Sequence, residues 1–184
     1  VKVIEKFRDK FKIVGLSAKE NILELEKQIE EFSPSYVSIM DDEKYHSLKS
    51  RFGHKVQVYN GIEGIIKIVK SDDVDIVVSA IVGSAGMLPT LEAVKSGKTV
   101  VLANKESLVM AGELIMKEAK NNNAKIIPVD SEHNAIFQCI NSNRKEEVKK
   151  ITLTASGGPF LHRANIKNVT VEEALQHPTW SMGK

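Results

Sequence analysis

The residues best suited to chemistry sit in a run of four, Asp130-Ser131-Glu132-His133, directly after the apolar run Ile126-Ile127-Pro128-Val129. On an extended segment, residues two apart point the same way, so Asp130 and Glu132 can present two carboxylates to one point. Two like charges held that close are unfavourable unless a cation neutralises them. Oxygen ligation without cysteine suits Mg²⁺ or Mn²⁺, hard ions that keep several waters or substrate oxygens. The same four residues also spell a helix N-cap, with Asp130 or Ser131 capping and Glu132 favoured by the helix dipole. Spacing leaves both readings open, and they are compatible because a cap can border a site.

Three further segments carry polar or flexible residues after apolar runs. In Ala103-Asn104-Lys105-Glu106-Ser107 a lysine follows a buried-type strand and precedes a helix. A cation there can hold a substrate oxyanion or phosphate beside backbone N–H groups. The alternative is Asn104 capping, Glu106 in the first turn and Lys105 in solvent. Thr154-Ala155-Ser156-Gly157-Gly158-Pro159 allows close backbone approach to a ligand, with the Ser156 hydroxyl available to phosphate, or it is a plain turn. His177-Pro178-Thr179-Trp180-Ser181-Met182-Gly183 holds the chain's one tryptophan, set as a lid indole or as an ordinary loop. Gly83-Ser84-Ala85-Gly86 is a weak dinucleotide-loop cue, and neither G-x-G-x-x-G nor a Walker pattern occurs.

The elements that must position these residues alternate in period. Short β-branched runs predict strands at Lys12–Leu16, Tyr36–Met40, Val56–Tyr59, Ile76–Ala80, Thr99–Ala103, Lys125–Val129 and Lys150–Thr154. Helical periods predict Asn21–Phe32, Asp42–Arg51, Ile62–Lys70, Leu88–Lys95, Ser107–Lys120 and Glu132–Ile140, with Val1–Phe7 also helical. Strand-helix alternation implies parallel strands with crossover helices: an α/β, doubly wound, Rossmann-like sheet. The rhythm changes near Asp130, which makes a domain boundary between 1–130 and 131–184 the expectation. In open parallel sheets ligands bind beyond the strands' carboxyl ends. The singled-out segments after the strands lie there.

Composition excludes other classes. With 42% hydrophobic and 27% charged residues the chain can bury a core. A formal charge of +2, from 26 basic and 24 acidic groups, lacks the basic stripe of a nucleic-acid binder. The longest apolar stretch, Ile76–Leu88, is too short to span a bilayer. The single Cys139, flanked by Ile136, Phe137 and Ile140, reads as a buried helix residue. A cytoplasmic location is the expectation. The chain opens without Met inside a helical pattern and is read as a piece of something longer.

The motifs together resemble the 1-deoxy-D-xylulose 5-phosphate reductoisomerase family. The resemblance is carried by Leu102–Leu108, Pro128–Gln138, Ala155–Phe160 and His177–Lys184, in the family's order and at compatible spacing. It implies conversion of 1-deoxy-D-xylulose 5-phosphate to 2-C-methyl-D-erythritol 4-phosphate, with NADPH and Mg²⁺ or Mn²⁺ as cofactors, in the non-mevalonate isoprenoid route. A homodimer is also implied, as are an NADPH-binding Rossmann-like domain over 1–130 and the start of an α/β catalytic domain with a flap over 131–184. Residue by residue, the resemblance makes Asp130 and Glu132 metal-binding, and Lys105, Asp130 and Glu132 catalytic. It makes Lys105, Ser131, Glu132, Ser156, His177 and Trp180 substrate-binding, and Asn21, Asn104, Glu106 and Gly183 cofactor-binding.

Departures accompany the match. The family's first glycine-rich loop is expected upstream of Val1. Its second cofactor loop commonly reads Ala-Gly-Lys-Asn, where this chain has Ala18-Lys19-Glu20-Asn21. A further metal-binding Glu would follow Lys184, so the isolated 184 residues are expected to show little or no turnover. Two alternatives remain beside this reading: a generic NAD(P)-dependent oxidoreductase without metal, and a non-catalytic nucleotide-binding module.

Overall fold

A computed structural model of the chain describes residues 1–141, 144–153 and 157–178. Six strands form where short apolar or β-branched runs occur: β1 (Gly15–Ala18), β2 (Tyr36–Ile39), β3 (Gln57–Asn60), β4 (Ile76–Ser79), β5 (Thr99–Leu102) and β6 (Lys125–Pro128). All pair in parallel, in two three-stranded sheets ordered β1-β2-β3 and β4-β5-β6. Gly15 stands opposite Tyr36 and Tyr36 opposite Gln57; in the second sheet Ile76 faces Thr99 and Thr99 faces Lys125. The expected α/β class with parallel strands is what the chain adopts. The hydrogen-bonded ladder, however, is split between β1 and β4.

Helices connect the strands: α1 (Lys2–Lys6), α2 (Ile22–Phe32), α3 (Asp42–Phe52), α4 (Gly61–Val69), α5 (Met87–Lys95) and α6 (Glu106–Asn121). Their starts follow capping chemistry. Asn21 Oδ1 accepts from Glu24 N at 3.2 Å, and Asp41 Oδ1 accepts from Lys44 N at 3.0 Å. The apolar faces make two cores. Leu25 and Ile29 of α2 close over Val37, Ile39, Leu48, Phe52, Val56 and Val58. The other core gathers Leu91, Ala93 and Val94 of α5, Val100 and Leu102 of β5, and Ile115 and Ala119 of α6.

Helix α4 belongs to both halves. Its Ile65 and Val69 join the second core, while its glycine lets it lie on β2 and β3. A Cβ at Gly64 would come within 2.5 Å of both Ser38 Oγ and Tyr59 Cβ. Ser38, fully buried, donates its hydroxyl to Gly61 O at 3.0 Å, so its polar group is satisfied. At Gly15 a Cβ would collide with Ile68 Cγ2, which explains the glycine that opens β1. Between the two sheets runs a groove of 790 Å³, lined in part by Gly15–Ser17 of β1 and Ile76–Ile81 of β4 and its continuation. Val78 in that groove is 65% exposed.

Unit Val1–Asn134 holds both sheets; unit Ala135–Lys184 is compact by itself. Helix α7 (Ser131–Asn141) runs across the boundary. In the second unit the described residues form a 3₁₀ turn at Lys145–Glu147 and helix α8 (Val171–Leu175). The α8 N-terminus is a capping box, Thr170 with Glu173.

Three sequence expectations are corrected. Strand β1 begins at Gly15, not Lys12, because pairing with β2 starts there; Val14 O instead accepts from Ser35 and Tyr36 N. The strand expected at Lys150–Thr154 is not formed over residues 150–153; a strand needs a ladder partner, and none is paired there. Thr154 lies outside the described residues. Cys139 is exposed, not buried. Helix α7 has no buried residue among those described. No helix among the described residues is long and apolar enough to cross a membrane.

Candidate functional site

At the carboxyl end of β6 the chain turns directly into α7, and this local fold decides the geometry of the acidic motif. Asp130 is the helix cap: its Oδ2 accepts from His133 N at 3.2 Å and its main-chain O accepts from Asn134 N at 3.0 Å. Asn134 Nδ2 donates to Pro128 O at 2.6 Å and ties the helix back to the strand. Since the helix starts at Ser131, the extended alternation expected for Asp130 and Glu132 does not apply; on a helix, residues two apart do not face each other. Of the two open readings, the structure displays the cap. Glu132 stands exposed in the first turn beside it.

Asp130 carries the stronger electrostatic signature. Its side chain is only 14% exposed, and His133 Nδ1 lies 2.6 Å from Oδ2. Burial, the largest single influence, pushes its pKa up. The side-chain and backbone hydrogen bonds from His133, then the charges of His133 and Lys105, outweigh burial and hold the carboxyl below its usual value. Asp130 is therefore an anion at neutral pH, with His133 engaging Oδ2. A pairing of Asp and His at i, i+3 is visible as a spacing, but residue type and spacing alone assign His133 no role.

The neighbouring β5 is followed by Ala103-Asn104, and Lys105 leads into α6. Lys105 and Glu106 are exposed, whereas Asn104 is 3% exposed. Lys105 lies near enough to Asp130 to lower its pKa, and β5 pairs with β6 in register through Leu102 and Pro128. One lysine and one partly buried carboxylate thus share the same sheet edge, with the N-termini of α6 and α7 opening beside them. Exposed donors of this kind attract a phosphate or oxyanion.

The remaining candidates stand on several elements. Asn21 caps α2, just after β1 of the first sheet. Ser131 is exposed at the start of α7. His177, half-buried in the second unit, donates its backbone N–H to Leu175 O at 2.9 Å. Ser156, Trp180 and Gly183 lie outside the described residues. Among the described residues no group of three His, Cys, Asp or Glu converges to hold a metal. The oxygen donors Asp130 and Glu132 fit a hard divalent ion in kind, as part of a ligand set. His46, His54 and His162 are exposed, in keeping with their charged surroundings.

Comparison with known proteins gives one family. A sequence model of 1-deoxy-D-xylulose 5-phosphate reductoisomerase matches residues 1–112, and one of that enzyme's C-terminal domain matches residues 126–184. The 1-deoxy-D-xylulose 5-phosphate reductoisomerase of Thermodesulfovibrio yellowstonii is 55% identical over 100% of this chain and 49% of its own length. That of Pelodictyon phaeoclathratiforme is 48% identical over 98% and 48%, respectively. A solved DOX-P reductoisomerase in complex with NADPH, fosmidomycin and magnesium matches with a TM-score of 0.79 at 39% identity, covering 98% of this chain and 48% of that one. The Zymomonas mobilis enzyme in complex with NADPH matches at 0.80 and 36% identity, covering 89% and 43%. The chain spans about half the length of the curated relatives it matches.

Proposed function

Because the chain belongs to the 1-deoxy-D-xylulose 5-phosphate reductoisomerase family, we propose that it forms part of an enzyme converting 1-deoxy-D-xylulose 5-phosphate to 2-C-methyl-D-erythritol 4-phosphate. In this reading NADPH supplies the hydride, and Mg²⁺ or Mn²⁺ is required. Residues 1–130 serve the cofactor and 131–184 begin the catalytic domain. The observation that carries the proposal is the β5/β6 edge, where Lys105 and Asp130 share one electrostatic environment beside Glu132.

Each residue has a derivable task there. Asp130, held ionised with His133 on Oδ2, keeps a formal negative charge and its Oδ1 for a cation. Glu132 brings a second carboxylate from the first turn of α7. Lys105, exposed beside that edge, offers a cation to a substrate oxygen. Ser131 adds a hydroxyl from the same turn. When bound, the divalent ion supplies Lewis acidity toward the ketone and hydroxyl oxygens of the sugar phosphate. Asn21, Asn104, Glu106 and Gly183 belong to the cofactor side of the reading, and Ser156, His177 and Trp180 to the phosphate end and the cover. A homodimer in the cytoplasm completes it, and sedimentation of the purified enzyme tests the dimer.

The decisive experiment uses an enzyme of the relatives' full length carrying this sequence. NADPH oxidation is expected only with 1-deoxy-D-xylulose 5-phosphate and a divalent metal, and is expected to disappear with EDTA and in Glu132→Gln. Oxidation that persists in EDTA and in Glu132→Gln would overturn the metal reading. No oxidation by folded, metal-loaded enzyme would overturn the reaction itself.

A further inference from the structure

Four of the six buried polar side chains among the described residues, Ser79, Thr90, Asn104 and Ser107, lie at the ends of β4 and β5 and in the helices that follow. Asn104 is the centre of the arrangement. Its Nδ2 donates to Ile81 O and, at 2.9 Å, to Gly83 O. Its Oδ1 accepts from Ser107 N at 2.8 Å and from Ser107 Oγ at 2.5 Å. A carboxamide has two N–H donors and one oxygen with two acceptor positions. All four are occupied from within the protein, and nothing on that side chain is left for a ligand.

We propose that Asn104 is a positioning residue, whose side chain clasps the 3₁₀ turn Gly83–Gly86 after β4 to the first turn of α6 and so fixes the Lys105 loop. This inference rests on the reductoisomerase reading only for what the clasp serves: the cofactor meets Asn104 through its main chain alone. The turn is built to receive the clasp. Gly83 has a φ of +73°, a conformation few L-residues adopt. A Cβ at Gly86 would lie 2.9 Å from Asn104 Nδ2 and 2.7 Å from Ile81 O, so only glycine lets the amide come this close. Thr90 Oγ1 donates to Gly86 O at 2.7 Å and lies 2.7 Å from Ser79 Oγ. With the one Thr90 hydroxyl proton spent on Gly86 O, Ser79 must be the donor of that pair. The turn is therefore held from both sides, by Asn104 from the segment after β5 and by Ser79 and Thr90 from β4 and α5.

Two variants separate the halves of the clasp. Asn104→Asp keeps an acceptor for Ser107 but turns a carboxylate oxygen toward two carbonyls; Asn104→Ala removes both sides. By NMR of the 184-residue chain without ligand, the Asn104 side-chain NH₂ protons are expected to exchange about a hundredfold more slowly than those of exposed Asn21. In Asn104→Asp the Ser107 amide is expected to stay protected while the Gly83 and Gly86 amides lose order. In Asn104→Ala the Ser107 amide is expected to lose its protection as well. In an enzyme of the relatives' full length carrying this sequence, Asn104→Asp is expected to raise the KM for NADPH about tenfold and to leave metal affinity unchanged.

Asn104 NH₂ protons exchanging as fast as those of Asn21, or becoming protected only when NADPH is added, would overturn the clasp. So would Gly83 and Gly86 amides as ordered in Asn104→Asp as in the original chain. Should both variants fail to fold, the exchange rate in the unaltered chain decides alone. That rate is read without cofactor, so absence of NADPH binding would count against the reductoisomerase reading and not against the clasp.

Discussion

Replacing His133 with alanine should raise the pKa of Asp130 and cost the folded chain a small, pH-dependent part of its stability. Asp130 sits with 14% of its side chain exposed and receives two hydrogen bonds from His133, the backbone N–H at 3.2 Å and the ring at 2.6 Å. Burial alone pushes the carboxyl up, and the contacts with His133 and Lys105 together reverse it. In His133→Ala the backbone bond and the Lys105 charge remain while the ring bond is lost, so the carboxyl moves up toward its ordinary range. A hydrogen bond to a charged group contributes about 1.5–3 kcal/mol when shielded from water. The ring is 55% exposed, and solvent screening reduces that to about 0.5–1 kcal/mol. A carboxyl whose folded pKa lies below its unfolded one contributes stability above the unfolded value and loses it as pH falls through the folded value. The variant should thus be less stable by about 0.5–1 kcal/mol near neutral pH, and the difference should fade in acid below the ordinary 3.8. A ¹³C NMR titration of the Asp130 carboxyl carbon, with urea unfolding at neutral pH, measures both quantities. A variant carboxyl that titrates at or below its position in the unaltered chain refutes this account of Asp130.

Two further substitutions test the scaffold. Gly64→Ala puts a Cβ 2.5 Å from Ser38 Oγ and Tyr59 Cβ; overpacking of about 1–3 kcal/mol exceeds the gain of about 1 kcal/mol in helix propensity. The urea midpoint should fall, and a raised midpoint would show that α4 shifts without strain. Glu92→Gln removes a carboxylate that Lys95 holds at 2.9 Å and Lys70 at 3.3 Å. Its pKa is lowered chiefly by the Lys95 hydrogen bond, against burial, with help from Lys70. The stabilisation is present above the ordinary 4.5 and is lost as pH falls through the depressed value. Both lysines are about half exposed, so the difference from the unaltered chain should be about 0.5–1 kcal/mol near pH 7. A difference that grows toward pH 3 would contradict this sign.

The six strands of the two sheets were legible because runs such as Val77-Val78 and Val100-Val101-Leu102 have no competing helical reading, and each is followed by a helical period. Their ends were less so. Lys12–Val14 looks like strand, but pairing begins only where β2 lies alongside, and that is a property of two segments together. Ile151 and Leu153 show the same limit: they are strand-like in type, exposed, and without a ladder partner. At the candidate site the motif Asp130–His133 stood out by type, and its capping role follows from local chemistry. The burial of Asn104 did not, because its partners Ile81 and Gly83 follow a different strand and meet it only once β4 and β5 are side by side. Cys139 has apolar neighbours in the sequence, yet α7 buries none of its described residues.

The split ladder bears on how the chain melts. Each three-stranded sheet closes its own core, and no backbone hydrogen bond crosses from β1 to β4. Helix α4 is shared, lying on β2 and β3 while its Ile65 and Val69 join the core of the other half. Cooperative unfolding depends on each part losing its support when another opens. Here that coupling passes through nine-residue α4 and the turn after it, where Lys70 Nζ pairs with Glu92 at 3.3 Å and Ser71 O accepts from Lys98 Nζ at 2.7 Å. For these 184 residues by themselves, the van 't Hoff enthalpy should therefore fall short of the calorimetric enthalpy, and a single free energy of unfolding does not describe them.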